Sequence, residues 1–271
     1  PVEESYSVDQ MREIAAHAAS LSVGIIPVVS ILGCARQFLQ YPEMAHLAEL
    51  RPPFTGRFWN TKHTMFCPSQ QGVWEFLETY LAEIFDIFPG EYIHAGCDET
   101  WDIGRCDLCR ARMERGESES DIFLKHLRTG YDIIKNRLGR RMMIWDDMFE
   151  FYPDVLERLP RDIIMVCWHY LGRADRIRGH FANHVVRDTL REYDRLGFEY
   201  LICPAEYVTI QNVENFTGYA RRRAPLGAVM AAWEKWDAYM LQSLPFMAYA
   251  GRLFASGLSG EQPGIFRDVV H

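Results

Sequence analysis

Tyr92-Ile93-His94-Ala95-Gly96-Cys97-Asp98-Glu99-Thr100-Trp101 reads as an apolar strand that ends in a glycine and at once presents two adjacent carboxylates and an aromatic. Ionised carboxylates resist desolvation, so two neighbours at a strand's end are costly in a core. In a polar cleft the same pair serves as an acid and an electrostatic stabiliser. The pattern then recurs along the chain. Trp145-Asp146-Asp147, Trp168-His169-Tyr170, Glu206-Tyr207 and Trp233-Glu234-Lys235-Trp236-Asp237 each close a further apolar run. Five strand ends carrying polar and aromatic side chains suit a (β/α)8 barrel, whose strand C-termini converge on one mouth. A doubly wound sheet would concentrate them at a single switch point.

The spacing between these ends supports the same architecture. Strand-like runs are expected at 23–29, 91–96, 141–145, 163–168, 200–204 and 228–233. Helical periodicity lies between them, at 7–21, 72–88, 120–138, 154–159, 182–196, after Asn212, and at 237–256. The strands are nearly continuous apolar runs, as expected of a parallel sheet covered on both sides. No composition break or repeat interrupts the 271 residues, so 1–271 reads as one catalytic α/β domain, a TIM barrel. Six strands are counted where such a barrel has eight. The first two are therefore expected to be missing, and Pro1 in place of a Met suggests an incomplete N-terminus.

A net charge of −8, with no Lys/Arg block larger than Arg221-Arg222-Arg223, argues against a nucleic-acid partner. No apolar stretch approaches the roughly 20 residues of a membrane span. The seven cysteines, an odd count placed mostly in strand-like runs, suit buried thiols in a reducing compartment, and cytoplasmic localisation is expected. Cys106-Asp107-Leu108-Cys109 has a spacing used by zinc and redox sites, but zinc needs about four ligands and no second pair is visible. The pair is read as loop-stabilising or incidental, and no metal is assigned.

Carboxylates beside several Trp and Tyr at one mouth suit a carbohydrate, whose apolar ring faces stack on aromatics while acids take its hydroxyls. Taken singly, each Trp reads equally well as core filling. Trp145, Trp168 and Trp233 at equivalent strand ends shift the balance to a sugar pocket. Successive strand residues point to opposite faces, so Asp98 and Glu99 reach one substrate only if the chain has already turned there.

His94-Ala95-Gly96-Cys97-Asp98-Glu99, Trp145-Asp146-Asp147-Met148 and Ala232-Trp233 together resemble glycoside hydrolase family 20, the β-N-acetylhexosaminidases. The chain is most similar to the hexosaminidase D-type branch, in which Gly-Cys-Asp-Glu is followed by Cys-x-x-Cys; Ile26-Pro27 through Gly33 matches an earlier loop. The likeness runs from Tyr6 to the last helix. It implies a retaining exo-β-N-acetylhexosaminidase that needs no cofactor and cleaves terminal β-linked GlcNAc or GalNAc from a glycan or glycoconjugate. The nucleophile is the substrate's own 2-acetamido group, an exception to the two-carboxylate scheme. Glu99 is the implied general acid, its pKa raised by partial burial and by Asp98; Asp98 holds the acetamido N–H. Tyr207 or Tyr170 meets the acetamido oxygen, Trp145, Trp168 and Trp233 wall the pocket, Asp146 or Asp147 touches the sugar or orients Glu99, and His94 supports the acidic pair.

Two departures stand out. No segment supplies the Arg that the family's first strand contributes, and the family's frequent Gly-His reads Gly33-Cys34. Two other readings compete: a metal-dependent barrel hydrolase with His94, Asp98, Asp146, Asp147 and Glu206 as ligands, and a non-catalytic carbohydrate-binding protein derived from the enzyme. The oligomeric state is open, a homodimer being one arrangement.

Overall fold

A computed structural model of the chain describes residues 5–51, 54–57, 64–170, 173–175, 177–178, 186–205, 210–232 and 237–256. They form two compact units, 1–144 with 152–163, and 145–151 with 164–271.

The first unit begins with α1 (Val8–Ser20), started by a capping box in which Ser7 and Gln10 satisfy each other's backbone N–H groups. Short α2 (Arg36–Leu39) precedes α3 (Gln71–Ile87), which buries Val73, Leu77, Leu81 and Phe85 along one stripe. β1 (Tyr92–His94) follows, then α4 (Asp107–Glu114) and α5 (Glu119–Tyr131), the last prolonged to Arg137 as a π-helix. β2 (Arg141–Trp145) pairs parallel with β1, Ile93 opposite Met142. α6 (Pro153–Arg158) starts with Pro at its first position, where the missing N–H removes no helical bond. Leu32, Leu39, Phe66, Leu77, Leu81, Ile93 and Leu127 are essentially inaccessible and form this unit's core. Each such side chain contributes roughly 1.5–3 kcal/mol by leaving water.

The run 23–29, expected as a full strand, makes a single parallel bridge, Val28 to His94. The His94 N–H donates to the Pro27 carbonyl and the Val29 N–H donates to the His94 carbonyl. Pro27 has no N–H of its own to extend the ladder. The chain nevertheless runs alongside β1, and this path delivers residues 30–34 to the end of β1.

In the second unit β3 (Ile164–Trp168) pairs parallel with β6 (Tyr200–Cys203), which pairs parallel with β7 (Gly227–Ala228). Ala205 and Ala231 add a parallel bridge beyond β7. Between β3 and β6 lie a two-residue antiparallel pair, β4 (Ile177–Arg178) and β5 (Val186–Arg187), and α7 (Thr189–Leu196). The helix expected from Ala182 therefore begins seven residues later, where the Asp188 side chain accepts the Arg191 N–H as N-cap. Gly197 ends it in the left-handed conformation. α8 (Ile210–Ala220) and α9 (Asp237–Ala255) pack through Val213, Tyr249, Ala250 and Leu253. Apart from the β4–β5 pair, the described strands of both units are parallel and joined through helices, the expected β/α alternation.

Candidate active site

The first unit carries the acidic pair on a turn that leaves β1 abruptly. Gly96 (φ 67°), Cys97 (φ 72°) and Glu99 (φ 54°) all lie in the left-handed region. For Cys97 and Glu99 this conformation costs about 1–2 kcal/mol each, strain of a kind that collects at functional sites. The strand alternation is broken there, and both carboxylates point the same way. Cys34 Sγ lies 3.3 Å from Asp98 Oδ2 and 4.0 Å from Glu99 Oε2. Convergence of the pair required the chain to have turned by residue 98, and it has.

Two glycines let that turn form. A Cβ on Gly33 would lie 1.8 Å from the Asp98 carbonyl oxygen and 2.8 Å from Thr100 Cγ2. One on Gly96 would meet the Ser30 backbone at 3.1 Å. The loop at 30–34 and the turn at 96–100 are thus fitted backbone to backbone. Beneath them His94 is buried, and its Nδ1 accepts the Gly96 N–H at 3.1 Å. Burial pushes its pKa down to about 3, so the imidazole is neutral and braces the turn as a hydrogen-bond acceptor. On the other side His126 of α5 reaches the Ile31 carbonyl through Nε2 at 3.0 Å, fixing the partner loop. Downstream, Thr100, Trp101 and Ile103 are buried, and Asp102 accepts the Arg57 N–H at 2.5 Å.

Burial falls on the other acid from the one expected. Glu99 is exposed, whereas Asp98 is half-buried. Desolvation raises the Asp98 pKa, opposed by the Cys34 S–H and by a backbone N–H, which both favour the carboxylate. The raised acid nearest the core is therefore Asp98.

The second unit holds an aromatic corner. Asp146 and Asp147 follow β2, and both are buried. Asp146 Oδ1 accepts the Trp168 backbone N–H at 3.3 Å, and its Oδ2 accepts the Tyr193 hydroxyl proton at 2.8 Å. Asp147 Oδ1 accepts the Trp168 indole N–H at 3.2 Å. The two acids thus hold Trp168 from its backbone and its ring. Burial and the nearby Asp146 charge push the Tyr193 hydroxyl and the Cys167 thiol well up, so both stay protonated beside that carboxylate. Trp168 and Tyr170, both half-buried, lie with ring centres 5.1 Å apart at 46°. Asn212 ties the strand ends together, donating to the His169 carbonyl and accepting the Ala205 N–H. Trp145 is half-buried at the end of β2. Tyr207 and Trp233 lie outside the described residues, as does Glu206.

Sequence reasoning did not find Tyr193 or His126, because each acts through a partner dozens of residues away. It noted Cys34 only as a departure, the position that proves to touch both acids. It also lacked the partners of the Cys106/Cys109 pair. Among the described residues the one group of three or more ligand-type side chains gathered within 4.8 Å is Glu49, Cys67, Cys106 and Cys109, all buried. It does not include His94, Asp98, Asp146 or Asp147.

A family model described as the catalytic domain of glycosyl hydrolase family 20 matches residues 1–223. Human hexosaminidase D is 22% identical over 258 residues, covering 87% of this chain and 50% of that protein. The beta-hexosaminidase of Porphyromonas gingivalis is 26% identical over 152 residues, covering 54% of this chain and 19% of that protein. Among solved structures, the GH20 exo β-N-acetylglucosaminidase of Vibrio harveyi, determined with N-acetylglucosamine, superposes with a TM-score of 0.67 at 17% identity. That match covers 98% of this chain and 44% of the Vibrio chain. The chain spans half or less of the length of these relatives. The likeness is one of fold, the α/β architecture of these barrel domains.

Proposed function

The chain belongs to glycosyl hydrolase family 20, and we propose that it is the catalytic part of a retaining exo-β-N-acetylhexosaminidase. Its substrate is a glycan or glycoconjugate ending in β-linked GlcNAc or GalNAc. The observation that carries this reading is the left-handed turn at 96–99, which sets two consecutive carboxylates on one side, against Cys34.

Glu99, the exposed member, donates its proton to the glycosidic oxygen as the C1–O bond breaks. The substrate's acetamido carbonyl oxygen forms a bond to C1 in the same step and closes an oxazolinium ring. Asp98 accepts the acetamido N–H, which orients the carbonyl and offsets the positive charge that spreads over the ring. Glu99, now a carboxylate, takes a proton from water as the water oxygen attacks C1. The ring opens, the acetamide is regenerated, and the two inversions leave the β configuration intact. The family likeness assigns Trp145, Trp168 and Trp233 to the wall of the sugar pocket, and the Trp168 and Tyr170 rings, with centres 5.1 Å apart, present an apolar face of the kind on which a sugar ring stacks. Tyr207 or Tyr170 bonds the acetamido oxygen. Asp146 and Asp147 act chiefly by holding Trp168, since their oxygens already accept protons from it and from Tyr193. No metal is needed for this chemistry.

The cysteines favour a reducing, cytoplasmic setting, six of the seven being buried. No helix among the described residues is long and apolar enough to cross a membrane.

The test is release of nitrophenol from the aryl N-acetyl-β-glucosaminide and -galactosaminide by this chain, by Glu99→Gln and by Asp98→Asn. Loss of a positioned general acid costs on the order of 10²–10⁴-fold in rate. Turnover that collapses in both variants and survives EDTA is expected. Sugar binding with no turnover, and no difference between wild type and Glu99→Gln, would replace the enzyme with a binding protein.

A further inference from the structure

Three thiols and one carboxylate from three separate stretches of the first unit meet in a fully buried cluster that the glycosidase chemistry does not use. Glu49 follows the turn at Ala45–Leu47, Cys67 precedes α3, and Cys106 and Cys109 sit at the start of α4. Cys67 Sγ is 3.4 Å from Cys106 Sγ and 3.9 Å from Cys109 Sγ, and Cys109 Sγ is 3.3 Å from Glu49 Oε2. We propose that Glu49, Cys67, Cys106 and Cys109 form a structural zinc site that clamps the segment following the acidic turn.

Three of the cluster's edges lie close to those of a tetrahedron. With Zn–S bonds of about 2.3 Å and a Zn–O bond of about 2.1 Å, tetrahedral coordination separates sulfur atoms by about 3.8 Å and sulfur from oxygen by about 3.6 Å. The observed S–S edges of 3.4 and 3.9 Å bracket the first value, the S–O edge of 3.3 Å lies slightly under the second, and all four ligand atoms fall within 4.8 Å of one another. A donor set rich in thiolate, closed to solvent and with four members, is the signature of a structural rather than a catalytic zinc site.

The surroundings are prepared for ionised ligands. Glu49 Oε1 accepts the backbone N–H groups of Arg105 and Cys106 at 2.8 and 2.9 Å, which leaves Oε2 turned to the sulfurs. The Cys109 N–H donates to Cys106 Sγ at 3.4 Å, across the start of the helix. Ser69 Oγ lies 3.1 Å from Cys109 Sγ and accepts a guanidinium N–H at 3.2 Å from Arg112, itself held by an ion pair with Glu117, so the hydroxyl is fixed beside the cluster. Such outer contacts orient ligands and offset their charge. Zinc replaces the ligand protons, which pass to solvent, and its two positive charges compensate the anions left behind.

A disulfide would consume two of the sulfurs and give Glu49 no partner suited to its buried charge. It is the outcome that opposes the proposal. The location gives zinc a purpose, because Cys106 lies seven residues beyond Glu99 and Thr100, Trp101, Asp102 and Ile103 between them are buried.

The full chain, purified with reductant and no chelator from zinc-supplemented medium, should contain about one zinc per molecule by plasma mass spectrometry. A mercurial titrating the thiols should release it to a metallochromic indicator. Cobalt exchange should give a thiolate-to-cobalt charge-transfer band with the strong d–d spectrum of a tetrahedral site. Glu49→Gln should fold and lose its metal to a competing chelator at least tenfold faster than wild type. Cys67→Ser should lose stoichiometric zinc or fail to fold, and in the second case the cobalt spectrum and Glu49→Gln decide. A folded chain with a negligible zinc content, whose Tm ignores both zinc and chelator, would overturn the site. So would a native disulfide among the three cysteines, found by mass spectrometry.

Discussion

Gly33→Ala tests the fit of the two loops around the acidic pair. The added methyl carbon would begin 1.8 Å from the Asp98 carbonyl oxygen, and contacts under 3.0 Å are essentially never tolerated. The two backbones must then part by at least the difference, 3.0 − 1.8 = 1.2 Å, because no flexible side-chain tip is available to yield. A misplacement of about 1 Å at reacting groups is worth on the order of 10² in rate. Overpacking of this kind costs about 1–3 kcal/mol, and each kcal/mol lowers Tm by roughly 2–4 °C in a chain of this size. Expected are a hundredfold fall in kcat/KM on the aryl glycoside and a Tm lower by roughly 2–12 °C. Gly24→Ala is the matched control, since its Cβ meets nothing within 4 Å; it should leave the rate unchanged and Tm level or slightly raised. Full activity and an unchanged Tm in Gly33→Ala would refute the fitted-loop account of how Asp98 and Glu99 are placed.

Other outcomes follow from the same geometry. Tyr193→Phe removes the hydroxyl proton donor from the buried Asp146 Oδ2 and should cost about 1–3 kcal/mol by denaturant unfolding; no loss would mean that Asp146 is not held from α7. His94, with a folded pKa lowered to about 3, stays neutral in the native state while the unfolded chain protonates it near its ordinary value. Its contribution is therefore present above about pH 6.5 and lost as pH falls toward 3. The stability gap between wild type and His94→Gln should shrink over that window, and a gap independent of pH would exclude a buried neutral imidazole. Alkylation of the exposed Cys34 thiol, 3.3 Å from Asp98, should abolish turnover and be slowed by N-acetylglucosamine. Equal labelling with and without the sugar would place Cys34 away from the bound substrate.

The β/α order was legible because parallel strands are apolar on both faces, and runs such as Ile163 to Trp168 have no competing interpretation. The acidic turn was legible for a related reason, since a Gly followed by two carboxylates has no comfortable place inside a strand. What failed were features that depend on distant partners. Local pattern extended α7 back to Ala182, although the Asp188 cap that starts it was there to be read. Burial of Asp98 rather than Glu99 follows from which residue of the turn lies over Gly33, and that is a matter of three-dimensional path. The Cys106-x-x-Cys109 spacing looked incomplete because its other two members, Glu49 and Cys67, come from a turn and a loop with no shared motif. The strand at 23–29 was placed correctly in space and overcounted in hydrogen bonds, as Pro27 foretold.

The placement of the acidic pair rests in part on a residue with no side chain. Gly33 donates no proton, carries no charge and would be passed over in any inventory of reactive groups, yet the Asp98 carbonyl occupies the volume that a methyl would fill. Anyone transplanting the Asp-Glu pair onto another barrel would have to bring the loop at 30–34 with it. Copied alone, the two acids would arrive with their chemistry intact and nothing to tell them where to point.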